Sequence, residues 1–484
     1  MKKLLLVTFL FLSVLDSRAS HVAGGELTYE FVGDSINPYR YVLTLTLYRR
    51  NAAGSSGFAS NYPVRLLSSC FPLQNFNLTR ILPAGATPTQ DGGYRFEQEI
   101  DCVDPKSSDY FNVSVHKYQD TVNLPGKCSN HVFSFYICCR NIQITNLAAI
   151  PGFYIESVLN NTIHNNSSPS FEFKPVINTC LNKPGYNHFG CSDKDGDSLF
   201  YKMVVPHEDL FTPIGYANGY SHNQPIATTS GTSFDSIIGL MTYTPSQVQL
   251  SVVAVEVSEY RFSVNDSDWV LVGSITRDME VKVNSSCKPA SAANVFSTNS
   301  TAFDTATTIT CGDSIFTLKL AIPVMIDSVT SSGSEFSIWN GGSDTIEVMS
   351  AKPGNMVLGS MFTDELIIEV ESPLILNDTL TLLIKPGTDR NTLISICGDE
   401  TPRDSITIAV TSCTSFFDLS ENQKTKRISA YPNPVKEMLT ISAKHSTTDR
   451  LTAQVVDVFG KEVQLEVLNS SSGKGFQLSP ICIK

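Results

Sequence analysis

The sequence predicts an all-β fold in which β-sandwiches follow one another along the chain. In the run 41–48, leucine alternates with valine, threonine and tyrosine, which is the period of a strand with one buried face. Residues 131–139 and 250–262 are similar β-rich runs, and no long amphipathic helix is recognisable. Short strands separated by Gly, Pro, Asn and Asp are typical of sandwiches.

The first residues, 1–19, predict a signal peptide. Lys2 and Lys3 precede an apolar run, 4–15, that is too short to span a bilayer. Small residues at the cleavage positions predict removal after Ala19, with an uncleaved anchor as the alternative. No later segment has the length and freedom from charge of a transmembrane helix, so we expect a protein exported into or through the periplasm.

The roughly 465 residues after the signal peptide are too many for one core, so several domains are expected. We predict β-sandwiches over residues 20–150, 151–287 and 291–413, the second with an Asp-rich loop. A polar linker, 418–427, precedes a small C-terminal β domain, 428–484. In that domain, prolines bias the chain to extended conformations and short apolar runs indicate strands.

Twelve cysteines lie outside the signal peptide, and in an exported chain they predict disulfides before metal sites. Local pairs are expected between Cys70 and Cys102, between Cys128 and either Cys138 or Cys139, and between Cys180 and Cys191. The sequence leaves the connectivity open. The adjacent Cys138 and Cys139 are expected to face opposite sides of one strand and to pair separately.

Charge and motif content exclude several function classes. The formal net charge of −12 disfavours nucleic acid and anionic surfaces as partners, because binding them requires clustered Lys and Arg. The chain has no G-x-S-x-G elbow, H-E-x-x-H helix or phosphate-binding glycine loop, and its eight histidines are not spaced for metal binding. We therefore predict a non-enzymatic protein, with a secreted hydrolase as the less favoured alternative.

The strongest candidate site in the sequence is a possible calcium loop formed by Asp193, Asp195 and Asp197 around Gly196. Carboxylates two residues apart around a glycine turn can converge on a hard cation that takes six to eight oxygen ligands. Glu259 is a candidate for a further ligand. The alternative is an Asp/Gly turn without metal, leading into a strand.

The C-terminal motif is Tyr431-Pro432-Asn433-Pro434-Val435, with Leu439-Thr440-Ile441 and Asp457-Val458-Phe459-Gly460-Lys461 after it. It resembles the type A C-terminal sorting domain of the type IX secretion system of Bacteroidota. The resemblance implies export to the cell surface or medium by type IX machinery. It also implies these sorting residues: Tyr431, Pro432, Asn433, Pro434, Asp457 and Gly460. Such domains usually finish with a Gly-Ile-Tyr strand and a basic tail, which 478–484 does not show, so a shortened domain is expected.

Other segments, among them 20–29, 136–141, 193–201 and 277–280, resemble the gliding-motility-associated and PKD-domain surface proteins of Bacteroidota. This resemblance implies Ig-like or PKD-like β-sandwiches at the cell surface and an adhesive or structural role. The Asp loop is similar to that of cadherin-like and PKD-like sandwiches, in which calcium often binds. A glycan-binding module with aromatic platforms is the alternative, although only two Trp are present.

Triplets of Asp, then Ser or Thr, then an apolar residue recur along the chain and resemble the O-glycosylation signal of Bacteroidota periplasmic proteins. The same triplets also suit a turn that leads into a strand, and both interpretations can hold at one site. The candidate glycosylation residues are Ser35, Thr121, Ser236, Ser314, Ser328, Thr345, Thr379 and Ser405.

Overall fold

The computed structural model of the chain divides into two compact units, Met1–Lys288 and Pro289–Lys484. The structure describes residues 22–51, 57–96, 102–150, 152–263, 267–287, 308–339, 345–357, 361–374, 379–401, 403, 405–411, 427–431, 439–444, 466–468 and 475–479. The predicted signal peptide and nearly all of the predicted linker, 418–427, lie outside these residues. Within the described part of the chain, no helix is long and apolar enough to cross a membrane.

The N-terminal unit is built from strands of very unequal length. They are β1 (Val22–Phe31), β2 (Arg40–Arg50), β3 (Asn61–Leu67), β4 (Gln74–Ile81), β5 (Tyr94–Arg95), β6 (Val113–Asn123), β7 (His131–Ile137), β8 (Phe153–Leu159), β9 (Ser170–Phe171), β10 (Asn178–Cys180), β11 (Gly185–His188), β12 (Cys191–Ser192), β13 (Ser198–Val204), β14 (His207–Asp209), β15 (Thr212–Pro213), β16 (Thr228–Asp235), β17 (Leu240–Pro245), β18 (Gln249–Ser263) and β19 (Asp268–Asn284).

Eight of these strands close into a circuit. In the order β19, β1, β2, β6, β4, β3, β7 and β8, each strand pairs antiparallel with the next, and β8 pairs again with β19. Closure leaves these strands without a free edge. The alternation predicted for β2 holds from Tyr41 to Leu45; Tyr41, Leu43, Leu45 and Leu47 are all fully buried, and Thr46 and Tyr48 on the other face are buried as well. The circuit encloses a core that includes Leu27, Tyr29, Phe133, Phe135, Phe153 and Ile155.

The circuit joins the two predicted N-terminal sandwiches. The predicted boundary at 150/151 lies between β7 and β8, which pair along seven residues, and β1 pairs with β19. Residues from both predicted blocks therefore share one sheet and one compact unit. Pairing between strands 250 residues apart leaves no mark in local periodicity, so the sequence gives no sign of it.

A second core in the same unit lies along the long hairpin β18–β19. Valines of β18 at 252, 253, 255 and 257 are buried, as are Ile275 and Val281 of β19. They pack in one cluster with Met241 and Tyr243 of β17, which forms a three-stranded sheet with β11 and β16.

The C-terminal unit contains two sheets that share one core, a 3-10 helix (Ile326–Ser328) and a separate four-stranded sheet. Its strands are β20 (Thr308–Thr310), β21 (Ile315–Met325), β22 (Phe336–Trp339), β23 (Thr345–Ile346), β24 (Val348–Pro353), β25 (Phe362–Val370), β26 (Thr379–Ile384), β27 (Ser405–Thr411), β28 (Arg427–Tyr431), β29 (Leu439–Lys444), β30 (Glu466–Leu468) and β31 (Gly475–Ser479).

The two sheets with a common core have the orders β20-β27-β26-β22-β23 and β21-β25-β24. Leu318 and Ile368 of the smaller sheet cluster with Ile338, Leu382 and Ile408 of the larger one. The described part of the chain holds no α-helix, and its antiparallel sheets are consistent with Ig-like β-sandwiches. The predicted all-β fold is confirmed.

Three disulfides differ from the predicted local pairs. Cys70 bonds to Cys128, Cys180 bonds to Cys287, and Cys138 bonds to Cys139. The sheet order brings together cysteines 58 and 107 residues apart, which local spacing does not reveal. Cys138 and Cys139 follow the end of β7 at Ile137, so the alternating faces of a strand no longer separate them.

The remaining described cysteines divide into bonded and free. Cys102, Cys311 and Cys397 are disulfide-bonded. Cys191 is a free thiol in the part of the chain that the structure describes, so its predicted bond to Cys180 is corrected. Burial raises the pKa of the Cys191 thiol well above its usual range, which makes it a poor nucleophile.

Candidate functional site

The Asp-rich loop connects β12 to β13 and is closed by its own first carboxylate. Oδ1 of Asp193 accepts backbone N–H groups from Asp195 at 3.0 Å and from Asp197 at 2.7 Å. Gly196 has a φ of +80°, a left-handed conformation that favours glycine. The sequence therefore folds locally as an Asp/Gly turn that leads into β13.

The fold brings two of the three predicted calcium ligands together with Glu259. One carboxylate oxygen each from Asp193, Asp197 and Glu259 lie within 4.8 Å of one another. Glu259 joins them because β13, which follows the loop, pairs with β18. Asp195 lies outside this group, and its Oδ2 accepts the backbone N–H of Ser167 at 2.6 Å.

A guanidinium already pairs with one carboxylate of this cluster. Nε and Nη2 of Arg261 donate to the two oxygens of Asp197 at 2.5 and 2.6 Å, and Nη2 also donates to Oδ1 of Asn166 at 2.6 Å. A second acid, Asp195, lies 3.7 Å from the same nitrogen. The hydrogen bond to Asp197 raises the pKa of Arg261 above its ordinary value.

Glu259 is fully buried behind the loop. Asn166 donates to its Oε2 at 2.7 Å, and Tyr29 donates to its Oε1 at 3.4 Å. Burial raises the pKa of Glu259 well above its usual range, which favours the neutral acid. The backbone at Gly273 approaches so closely that an added Cβ would collide with Glu259 and with the Tyr29 hydroxyl.

The carboxylate oxygens of this cluster are arranged to accept hydrogen bonds from a guanidinium and other protein donors and not to coordinate a calcium ion. Both oxygens of Asp197 accept from Arg261, and both oxygens of Glu259 have protein donors. Only Oδ2 of Asp193 is buried without a hydrogen-bond partner among the described residues of the cluster. Calcium takes six to eight oxygens, so calcium binding remains a prediction that requires displacement of Arg261.

A polar cleft adjoins the loop on the N-terminal unit. Its volume is about 590 Å³, and its floor is the outward face of β1, β2 and β6, with Thr28, Thr44 and Gln119 in one row. Asp193 and Lys194 of the Asp loop line one end. Sequence reasoning missed the cleft, although the threonines on the polar face of the run 41–48 were its visible signal.

One Ser–His–Asp cluster could be mistaken for catalytic machinery. Nε2 of His116 lies 3.1 Å from both Ser114 Oγ and Asp91 Oδ2, so serine and aspartate share the same ring nitrogen. In a catalytic triad they bind opposite nitrogens. Ser114 and His116 are fully buried, and Arg49 also binds Asp91 at 2.9 Å. The geometry is that of a structural network.

An exposed aromatic patch lies at the tip of the β18–β19 hairpin and was also missed. Phe262 and Trp269 are directly opposite each other in the sheet and their rings meet edge to face, 5.6 Å apart. Leu271 and Phe200 are exposed nearby on the paired strands. We refer to Phe200, Phe262, Trp269 and Leu271 as the hairpin patch.

The candidate glycosylation residues fall into different environments. Ser35, Thr121, Thr345 and Ser405 are exposed, whereas Ser236 and Ser314 are half-buried. Ser328 is buried and donates its hydroxyl to the carbonyl of Met325 at 2.7 Å, which corrects its assignment as a modification site. The side chain of Thr379 lies outside the described residues.

Several of these triplets also form the turns that their alternative interpretation requires. Oδ1 of Asp34 accepts the N–H groups of Ile36 and Asn37, and Asp235 does the same for residues 237 and 238. The backbone hydrogen bonds hold the pKa of Asp34 below its usual value. Turn formation and modification are compatible at exposed sites.

The predicted sorting motif lies mostly beyond the described residues. Tyr431 ends β28 and pairs with Thr440 of β29, in a sheet of order β28-β29-β31-β30. Pro432, Asn433, Pro434, Asp457 and Gly460 lie outside the described residues. The last strand, β31, pairs with both β29 and β30.

Comparisons with known proteins place one part of the chain. No curated protein matches it. A solved structure described as a marsupial T cell receptor matches at 10% identity over 79% of this chain and 99% of that one, but its TM-score of 0.15 supports no argument. Residues 429–479 match the sequence model of the secretion system C-terminal sorting domain. The C-terminal part of this chain is therefore a type IX secretion sorting domain, which indicates export to the cell surface or medium.

Proposed function

We propose that this chain is a non-enzymatic surface or secreted protein of a Bacteroidota cell, with an adhesive or structural role. The observation on which this rests is the sorting-domain match at residues 429–479. Its β units would serve as the exported cargo, and the sorting domain would direct them to the type IX machinery.

The covalent structure supports a role outside the cell. Disulfides Cys70–Cys128 and Cys180–Cys287 join distant parts of the N-terminal unit, and Cys311 and Cys397 of the C-terminal unit are also bonded. Disulfides persist in oxidising compartments, where they stabilise exported proteins. Closure of eight strands into a circuit adds resistance to edge pairing on a crowded surface.

A binding role is favoured over catalysis by the polar clusters of the N-terminal unit. The Ser114–His116–Asp91 network is buried and bonded in a geometry unsuited to proton relay. The Asp193–Asp197–Glu259 cluster is closed by Arg261. A panel of polysaccharide and peptide substrates would reveal the hydrolase alternative, and turnover lost on carboxylate substitution would establish it.

Export is tested by fusing residues 426–484 to a periplasmic fluorescent reporter in a Bacteroidota host. We expect the reporter to reach the cell surface or the medium. A matched fusion carrying Tyr431→Ala and Pro432→Ala, and the same fusion in a host without the type IX translocon, should stay in the periplasm. Periplasmic retention of the unaltered fusion would mean that this sorting domain is inert and would remove the proposed export route.

A glycan-binding role is the second candidate function. It is favoured by the polar cleft over β1, β2 and β6, which is large enough for a small ligand and whose lining includes several threonine and serine side chains and the Gln119 amide.

A further inference from the structure

We propose that the polar cleft of the N-terminal unit binds a neutral oligosaccharide. The inference rests on the proposed function, since it names the partner through which an exported protein would adhere. It is carried by the floor of the cleft, its charge balance and its extension along the sheet.

The floor presents hydroxyl and amide groups in register. Thr28, Thr44 and Gln119 are directly opposite one another across three strands, and Glu26, Thr46 and Lys117 form the adjacent row. These rows face away from the core because they alternate with the buried row of Leu27, Leu45 and Tyr118. A sheet holds such groups rigidly, so they can bind hydroxyls at fixed spacing with little loss of entropy.

Two of the three acidic residues of the cleft are paired with cations, one from within the cleft and one from beside it. Arg277 binds Glu26 at 2.5 Å, and Lys194 binds Glu30 at 2.5 Å. Three carboxylates and two lysines line the cleft, so it carries no strong field for an anion or a cation. The groups left for a ligand are neutral hydroxyls, the Gln119 amide and Lys117. This set matches a ligand rich in neutral hydroxyl groups.

The cleft also has the apolar surfaces and the length that a sugar chain requires. Ile81 and Pro83 form part of its wall, which suits the C–H faces of a pyranose ring. A second cavity of about 300 Å³ shares Glu26, Thr46 and Lys117 with the first and continues to Tyr94. Two adjacent cavities that share lining residues extend the site beyond one sugar ring, so we infer an oligosaccharide.

Binding is tested with the mature chain, residues 20–484, on an array of neutral oligosaccharides of four to six sugars (cello-, xylo-, manno- and chito-series). Sulfated and uronic-acid oligosaccharides form separate arms. We expect binding to at least one neutral series, followed by calorimetry to obtain the affinity.

The decisive variant is Thr44→Val with Gln119→Leu. Nε2 of Gln119 donates to Oγ1 of Thr44 at 3.0 Å, so removing both groups leaves neither unsatisfied and the fold is preserved. Loss of ligand hydrogen bonds should weaken binding about tenfold. Thr229→Val, on the exposed part of β16, is the matched control and should leave the affinity unchanged. Melting curves of each variant establish that it is folded.

Three results would overturn the proposal. They are no binding to the neutral series, binding confined to the charged arms, or binding that survives in Thr44→Val/Gln119→Leu but is lost in Trp269→Ala, which would assign it to the hairpin patch. The assay uses purified protein and is independent of export. A failed reporter fusion would therefore leave the cleft untouched, and a failed array would leave the export route standing.

Discussion

Two arginine–aspartate pairs in the N-terminal unit are both bidentate, but their surroundings are opposite. Arg140 binds Asp278 at 2.8 and 2.7 Å, and both side chains are 1% exposed. Arg261 binds Asp197 at 2.5 and 2.6 Å, but it is 21% exposed and stands beside Asp193, Asp195 and Glu259. The Arg140–Asp278 pair is buried and its two charges compensate each other. Arg261, in contrast, is a single partly exposed cation among several acidic side chains.

The contrast shows why the acidic motif suggested calcium and why the structure points elsewhere. Asp193, Asp195 and Asp197 are close in sequence, so the excess of negative charge was visible. Arg261, which compensates it, lies 64 residues beyond Asp197 and reaches the loop only through β13–β18 pairing. An ion pair closed across strands is invisible to motif spacing.

The largest expected effect on stability comes from breaking the buried Arg140–Asp278 pair. Arg140→Met leaves Asp278 buried without its partner and removes a hydrogen bond to the Gly152 carbonyl and a stacking contact with Phe153. The free energy of unfolding should fall by about 3–5 kcal/mol, measured by urea denaturation. The double variant Arg140→Met/Asp278→Leu should recover much of the loss. If the single variant is as stable as the wild type, the Arg140–Asp278 pair does not contribute to the stability of the fold.

A pH dependence further distinguishes the environment of Arg140. Glu280 is fully buried, and burial raises its pKa to about 8, although the nearby Arg140 charge opposes the shift. The pKa of Glu280 is higher in the folded than in the unfolded protein. The free energy of unfolding is therefore highest below about pH 4.5 and declines by about 1.4 kcal/mol per pH unit up to about pH 8.

Melting temperatures from pH 5 to 8 test this dependence. Glu280→Gln should flatten the decline, whereas Glu172→Gln, at an exposed position, should follow the wild type. A decline of unchanged slope in Glu280→Gln would assign the titration to other groups.

The sequence predicted local features of the fold but not those that depend on contacts between distant residues. Tyr41, Leu43, Leu45 and Leu47 alternate and are buried as expected, since periodicity is a local property. The sorting domain was recognisable for a similar reason, because its motif is compact. The closed circuit, the Cys70–Cys128 bond and the joining of two predicted domains all depend on contacts between distant residues, and no local pattern encodes them.

The candidate sites show the same limit. Of the three aspartates predicted as calcium ligands, Asp193 and Asp197 lie together with Glu259, whereas Asp195 accepts a hydrogen bond from Ser167 outside that group. The cleft could not be located, because Thr44 and Gln119 become neighbours only through β2–β6 pairing. The sequence indicated which side chains could bind a ligand, whereas only the fold shows which of them lie close together.

The smallest expected effect concerns the acidic cluster, and it decides between arginine and calcium. Since Arg261 is partly exposed, Arg261→Met should lower the free energy of unfolding by only about 1–3 kcal/mol. The oxygens of Asp197 are then free to join Asp193 and Glu259 around a metal, so millimolar calcium should raise the melting temperature of this variant by mass action. In the wild type, neither calcium nor a chelator should change it, because the guanidinium occupies the same oxygens. A chelator that lowers the wild-type melting temperature would instead establish calcium at the Asp loop with Arg261 still in place.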